Sequence, residues 1–267
     1  MKLLAYLFRV YLKSSIHIAL AVCSLLYISI KSHHIEYQKA LYELVFFGSI
    51  VAYNFIKYGL EVKRYFISSK RVMIPLLLIS IFSIGISVLA LFELTYNQIL
   101  LVLLMGFLIY LYTIPFIPSL PNFRNLSRIK IYIVAFVWAG MTTLLPLIDQ
   151  STDFLLIEFV QRFILVLVLM IPFEIRDLKY DDNSLNTLAQ SLGVNGAKRL
   201  GYLLVLLWLL SSSYLGLKPI ALVIIIAVLL ILALAYSNSE RNRVYTEFWV
   251  ESIPIAYALI DAVVLNY

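Results

Sequence analysis

Apolar runs long enough to cross a bilayer follow one another down almost the whole chain, separated by short polar segments rich in lysine and arginine. A helix needs about 20 apolar residues to traverse the hydrocarbon. Backbone exposed to lipid must satisfy its hydrogen bonds within its own segment, so helices are the default. Together these requirements predict helices near 14–31, 40–58, 72–92, 98–116, 129–148, 155–175, 200–217, 219–237 and 247–265. Nine spans leave no stretch for a water-soluble domain. Residues 1–267 therefore read as one polytopic transmembrane domain, an all-α bundle. Charged residues make up 13% of the chain, against about 25% in soluble domains, so lipid is the solvent that this composition needs.

The basic residues orient the bundle. With the N-terminus in the cytoplasm, 17 of the 21 lysines and arginines fall on the inner side, and Lys31, Lys39, Arg162 and Lys218 are left outside. The asymmetry alternates at every crossing, and removing one span would scramble it. It predicts the cytoplasmic membrane of a bacterium, with the C-terminus outside. The first 30 residues start basic and then turn apolar, like a signal peptide. Ile28-Ser29-Ile30-Lys31 is a poor cleavage site, so the first span is read as retained. The charge of +6 points to anionic headgroups rather than nucleic acid. Cys23 is the single cysteine, which excludes an internal disulfide. It reads as a small buried hydrophobe.

One cluster carries chemistry. The sixth predicted span ends in Glu174-Ile175-Arg176-Asp177-Leu178-Lys179-Tyr180-Asp181. Glu174, Asp177 and Asp181 are spaced i, i+3, i+7 and share one face of a helix. Three carboxylates on one stripe repel unless neutralised. A hard divalent cation does this, and Mg²⁺ commonly uses one or two carboxylates with substrate phosphate oxygens. The alternative is that the acids solvate a loop, with Arg176 and Lys179 as partners. Spacing alone leaves both open. His17, His33 and His34 read as interfacial or solvated. No ionisable residue stands out in the middle of a span, which counts against a small transporter.

The same stretch, followed by Asn186-Thr187-Leu188-Ala189-Gln190-Ser191-Leu192-Gly193, resembles the second aspartate motif of UbiA-type intramembrane prenyltransferases, D-x-x-D-x-x-x-D and then T-L-x-x-x-x-G. Glu174 stands at the first Asp; Asp177 and Asp181 match. Tyr112-Thr113-Ile114-Pro115 is similar to that family's Tyr-rich turn after the fourth span. The resemblance implies a nine-helix bundle around a central apolar cavity. It also implies an isoprenyl diphosphate held through Mg²⁺, ionisation of its allylic C–O bond, and capture of the cation by a membrane-accessible aromatic or lipid acceptor.

The first motif of that family, N-D-x-x-D-x-x-x-D, departs. Asn54 matches, but the aspartates align with Phe55, Tyr58 and Val62, and Glu61 is one residue out of register. Asn54, Lys57, Tyr58 and Glu61 form one helical face (i, i+3, i+4, i+7) that would confront the acidic stripe in the family's plan. Lys57 then either supplies positive charge where a metal stood, pairing with the diphosphate or with Asp177 or Asp181, or is an ordinary basic residue of the inner side. At most one Mg²⁺ is expected, on Glu174, Asp177 and Asp181. Asp177, Asp181 and Lys57 are the catalytic candidates. Asn54, Tyr58, Glu61, Tyr112, Arg124, Arg176 and Lys179 are the substrate-binding ones. The family's Y-x-x-x-K is altered as well: Phe116 stands four residues after Tyr112, and Arg124, Arg128 and Lys130 follow in the next loop, either to contact phosphate or to anchor the loop to anionic headgroups. The rival to an enzyme is a relative that binds isoprenoid lipid without turning it over.

Overall fold

The computed structural model describes residues 2–58, 70–114, 129–150, 153–181 and 187–264. Among these residues there are helices and turns and no strand. In chain order the helices are α1 (Lys2–Lys13), α2 (Ile16–Ser32), α3 (Lys39–Tyr58), α4 (Lys70–Leu91), α5 (Tyr96–Thr113), α6 (Ile129–Leu147), α7 (Leu155–Asp177), α8 (Leu188–Leu215), α9 (Ile220–Ala235) and α10 (Ser252–Val264). Each of the nine predicted runs falls on one of α2 to α10. By length and apolarity, α3 to α7 can each cross a membrane alone, and α1 with α2 forms a bent pair that could make a sixth crossing. This is an integral membrane protein.

Local chemistry explains where the boundaries depart from the apolar pattern. α1 precedes the first predicted span and meets α2 at 55°. The bend sits at Ser15, whose φ of 64° is a left-handed conformation uncommon outside glycine. Asn54 and Lys57 of α3 hold it: Ser15 Oγ donates to Asn54 Oδ1 (2.8 Å) and accepts from Lys57 Nζ (3.1 Å). α8 starts at Leu188, not near residue 200. A capping box between Thr187 and Gln190 starts the helix inside the polar segment, satisfying two of its free N–H groups. Gly193 (φ 68°, ψ 169°) then breaks its run, a conformation open only to glycine.

α7 is the axis of the core. Leu165, Val166, Val168, Leu169, Ile171 and Ile175 are buried, and α7 packs on α6 and α8. α2 packs on α3 and α10. α4, by contrast, leaves Ile74, Leu77, Leu78, Ile81 and Phe82 exposed, the apolar surface expected of a lipid-facing helix. α6 carries one π turn at Gly140–Leu144, and a second π turn at Tyr245–Val250 precedes α10.

Two expectations are corrected here. An ionisable side chain does lie inside a span: Arg162 is buried in α7, about 10 Å of helical rise beyond Leu155. Such burial is tolerable only with partners. Its Nη1 donates to Leu25 O (2.6 Å) and Thr142 Oγ1 (3.3 Å), and its Nη2 to Ser29 Oγ (3.1 Å). Its neighbours at that end of the bundle are also paired: His33 with Glu158 (2.8 Å), and Lys218 and Lys31 with Asp261 (2.9 and 3.5 Å). His17, likewise, is buried rather than interfacial. Its ring stacks on Phe248 and bonds Tyr11, Phe248 and Ser252, tying α1 and α2 to the start of α10.

Where α8 meets α7 and α9, Gly201 permits close approach: a Cβ there would lie 2.7 Å from Leu234 Cδ2 and 3.2 Å from Ile171 Cδ1. Gly201→Leu should lower stability by about 1–3 kcal/mol through overpacking, seen as a reduced Tm in detergent. An unchanged Tm would show that the helices separate freely at this contact.

Candidate functional site at one end of the bundle

The C-terminal ends of α3, α5 and α7 and the N-terminal ends of α6 and α8 lie at the end of the bundle opposite Asp261. The last turns of α7 bring Glu174 and Asp181 onto one cation. Lys130, in the first turn of α6, places its Nζ 2.8 Å from Glu174 Oε1 and 2.8 Å from Asp181 Oδ2. Glu174 is buried and Asp181 about a quarter exposed. Asp177 has another partner: Arg176 curls back so that Nε and Nη2 donate to Asp177 Oδ1 at 2.8 and 2.7 Å. The guanidinium also reaches the turn before α10, donating from Nη1 to Thr246 Oγ1 (2.5 Å) and lying 3.5 Å from Glu247 Oε1. It sits over the Phe173 ring at 5.1 Å, a favourable cation–π position.

The predicted stripe is thus neutralised by cations of the chain. Among the described residues no three Asp, Glu, His or Cys side chains gather as an ion-holding group. The donor chemistry still suits Mg²⁺. Two carboxylate oxygens from different turns converge on one point, and all-oxygen sets are what this ion takes. The point is held by the Lys130 ammonium.

Lys57 does not reach Asp177 or Asp181. Its Nζ is bound to Ser15 Oγ, and it lies in the field of Glu251, Glu247 and Arg176. Lys57 on α3 is faced by two glutamates just before the last helix, Glu247 and Glu251. Asn54 is buried with both ends of its amide engaged, by Ser15 Oγ and by Ser80 Oγ (2.9 Å). Its contacts pin the α1–α2 bend to α3 and α4. The Tyr58 hydroxyl donates to Lys13 O (3.1 Å). Lys179 is at the exposed rim, where its bond to Glu240 (2.9 Å) raises its pKa above the ordinary value. Glu61 and Arg124 lie outside the described residues.

An apolar cavity of about 400 Å³ opens between α2, α3, α4, α5 and α6. Val22, Tyr53, Met105, Tyr112, Trp138 and Met141 are among its walls. Its size falls in the range of small-molecule pockets. Tyr53 and Trp138 close one wall, the indole N–H donating to the Tyr53 hydroxyl at 2.7 Å. Tyr53 and Ile56 line the cavity and Lys57 is the next residue along, so α3 runs from the apolar chamber to the charged end.

Sequence reasoning missed Lys130 as a partner of the acids, because it read that residue as part of a basic loop. It also missed Glu247 and Glu251. An acidic pair at i, i+4 inside an apolar run was the available signal, since such residues are costly in a span and mark function.

The guanidinium of Arg176 joins α7 to the α10 turn. Arg176→Met should therefore leave Asp177 and Glu247 unpaired and cost about 1–3 kcal/mol, measurable by thermal unfolding in detergent. Loss of less than a few tenths would show that the α7–α10 contact does not depend on it.

No protein-family profile matches the chain, and neither does any curated protein sequence. Two solved structures do. One is a digeranylgeranylglyceryl phosphate synthase, described as acting in membranes, at 16% identity and a TM-score of 0.61 over 99% of each chain. The other is a UbiA homolog from Archaeoglobus fulgidus bound to GPP and Mg²⁺, at 14% identity and a TM-score of 0.61, over 96% of this chain and 100% of that one. The α-helical bundle with its apolar cavity and its charged end therefore has the fold of the UbiA-type intramembrane prenyltransferases.

Proposed function

We propose that this protein is a divergent UbiA-like prenyltransferase, moving an isoprenyl group from its diphosphate to an aromatic or lipid acceptor within the membrane. One juxtaposition carries the reading: an apolar chamber of about 400 Å³ adjoins a cluster of acids and bases at one end of the bundle. An isoprenyl diphosphate has the same division, an apolar tail and a polyanionic head. The tail enters the chamber past Tyr53, Tyr112 and Trp138. The head stays at the charged end, which faces the cytoplasm by the lysine and arginine asymmetry.

The geometry supports a metal as part of the site: Glu174 and Asp181 turn oxygens toward one cation, and a diphosphate placed beside them needs positive charge between. Glu174 and Asp181 would hold one Mg²⁺ together with diphosphate oxygens, and the ion would supply charge neutralisation for the departing diphosphate. Lys57 contributes as a point charge from the α3 side, and Arg176 orders Asp177 and the turn carrying Glu247. The allylic C–O bond breaks with its electron pair on the diphosphate. The chamber shields the resulting cation from water until the acceptor adds and releases its proton.

Turnover tests the reading directly. With geranylgeranyl diphosphate, an acceptor-containing membrane extract and Mg²⁺, the purified protein should release pyrophosphate. Asp181→Asn should slow release about 10²-fold, the scale of losing one electrostatic contact to developing charge. Diphosphate binding without release would make the chain an isoprenoid-lipid binder. Absence of binding would end the reading. Lys57→Met should weaken diphosphate binding about tenfold, as expected for one charge-assisted hydrogen bond; unchanged binding by calorimetry would remove Lys57 from the site.

A further inference from the structure

The placement of Lys130 has a consequence that the carboxylates alone do not. An ammonium 2.8 Å from both Glu174 and Asp181 neutralises the same oxygens that a divalent ion needs. The bridge spans two helices: Lys130 opens α6, Glu174 ends α7, and Asp181 follows α7. Glu174 is buried and paired, so removing its cation without supplying another is costly. We propose that Lys130 is a tethered cation that competes with the divalent ion for Glu174 and Asp181, and that metal entry releases its ammonium toward the diphosphate.

This inference rests on the prenyltransferase reading for its use of the released charge, but the competition itself involves no isoprenoid. Lysine suits the part. Its ammonium is a compact charge on a flexible four-carbon stem, so it can leave one anion for another without moving α6. Lys57 does not take the same part, since the acids it faces are Glu247 and Glu251 rather than Glu174 and Asp181. Arg176 is equally committed, to Asp177, Thr246 and Glu247. Lys130 is therefore a positioning residue for the metal. Its removal should tighten divalent binding while damaging turnover, a pair of effects that a purely structural salt bridge does not produce.

The test uses the full-length protein in detergent with Mn²⁺ as the probe and no substrate. Free Mn²⁺ is followed by electron paramagnetic resonance. Wild type should bind weakly, Lys130→Met at least tenfold more tightly, and Lys130→Arg no more tightly than wild type. In the double variant Lys130→Met/Asp181→Asn the gain should vanish. Equal affinity in wild type and Lys130→Met, or a gain that survives Asp181→Asn, would overturn the proposal. A second measurement needs no variant. In wild type, modification of Lys130 by an amine-reactive ester, read by mass spectrometry, should rise several-fold as Mg²⁺ is raised to tens of millimolar, while that of exposed Lys179 stays constant. Unchanged modification of Lys130 would equally overturn it. Competition without pyrophosphate release from an allylic diphosphate would sink the functional reading and leave Lys130's role standing; release without competition would do the reverse.

Discussion

A carboxylate held where water is scarce is costly to leave charged and unpaired, and cations set against such acids arrange both ends of the bundle. Burying a single charge costs several kcal/mol even after relaxation, while breaking a formed pair costs about 3–5 kcal/mol. The structure meets this with lysines and arginines from neighbouring helices. Lys130 serves Glu174 and Asp181, Arg176 serves Asp177 and Glu247, and at the far end Lys218 and Lys31 serve Asp261. All but the Arg176–Asp177 pair join elements that apolar packing alone would leave free to slide, because lipid is as good an apolar partner as another helix. The ion pairs therefore set register as well as charge balance.

The two ends nonetheless differ in kind. At the Asp261 end, Arg162 spends its Nη atoms on a backbone carbonyl and two hydroxyls. Those contacts lock α7 to α2 and to the π turn of α6. At the other end, Asp181 is about a quarter exposed and Glu247 more than a third, and the apolar chamber lies alongside. Closed charge networks suit architecture. Partly open ones beside an apolar cavity suit a ligand that carries both a tail and a charged head.

Much of this was legible in the chain, because lipid imposes a simple rule on sequence. The apolar runs located α2 to α10, and the i, i+3, i+7 spacing singled out the acids that the structure engages. What stayed hidden was the identity of partners across space. Lys130 and Glu174 are far apart in sequence, and nothing local to either shows that they meet. Asn54 shows the same gap: its match to a motif pointed to a substrate, and nothing local to it showed that its amide also bonds Ser15 and Ser80. The polar start of α8 was hidden for a further reason: apolar content finds spans, whereas the Thr187–Gln190 cap starts a helix by hydrogen bonding alone.

The departure in α3 and the acids before α10 are best understood together. Where the resembled family carries aspartates on the helix corresponding to α3, this chain has Phe55, Tyr58 and Val62, and a lysine between them at position 57. A cation there would be stranded at the edge of an apolar chamber unless negative charge faced it. Glu247 and Glu251 provide that charge from the opposite side, delivered by the π turn Tyr245–Val250, whose wider winding shifts both side chains relative to an ordinary α-helix. Carboxylates therefore stand on both sides of the charged end, at the end of α7 and just before α10. Acids before α10 and on α7 thus face cations carried by α3 and α6, and the charged end is balanced across helices rather than within any one of them.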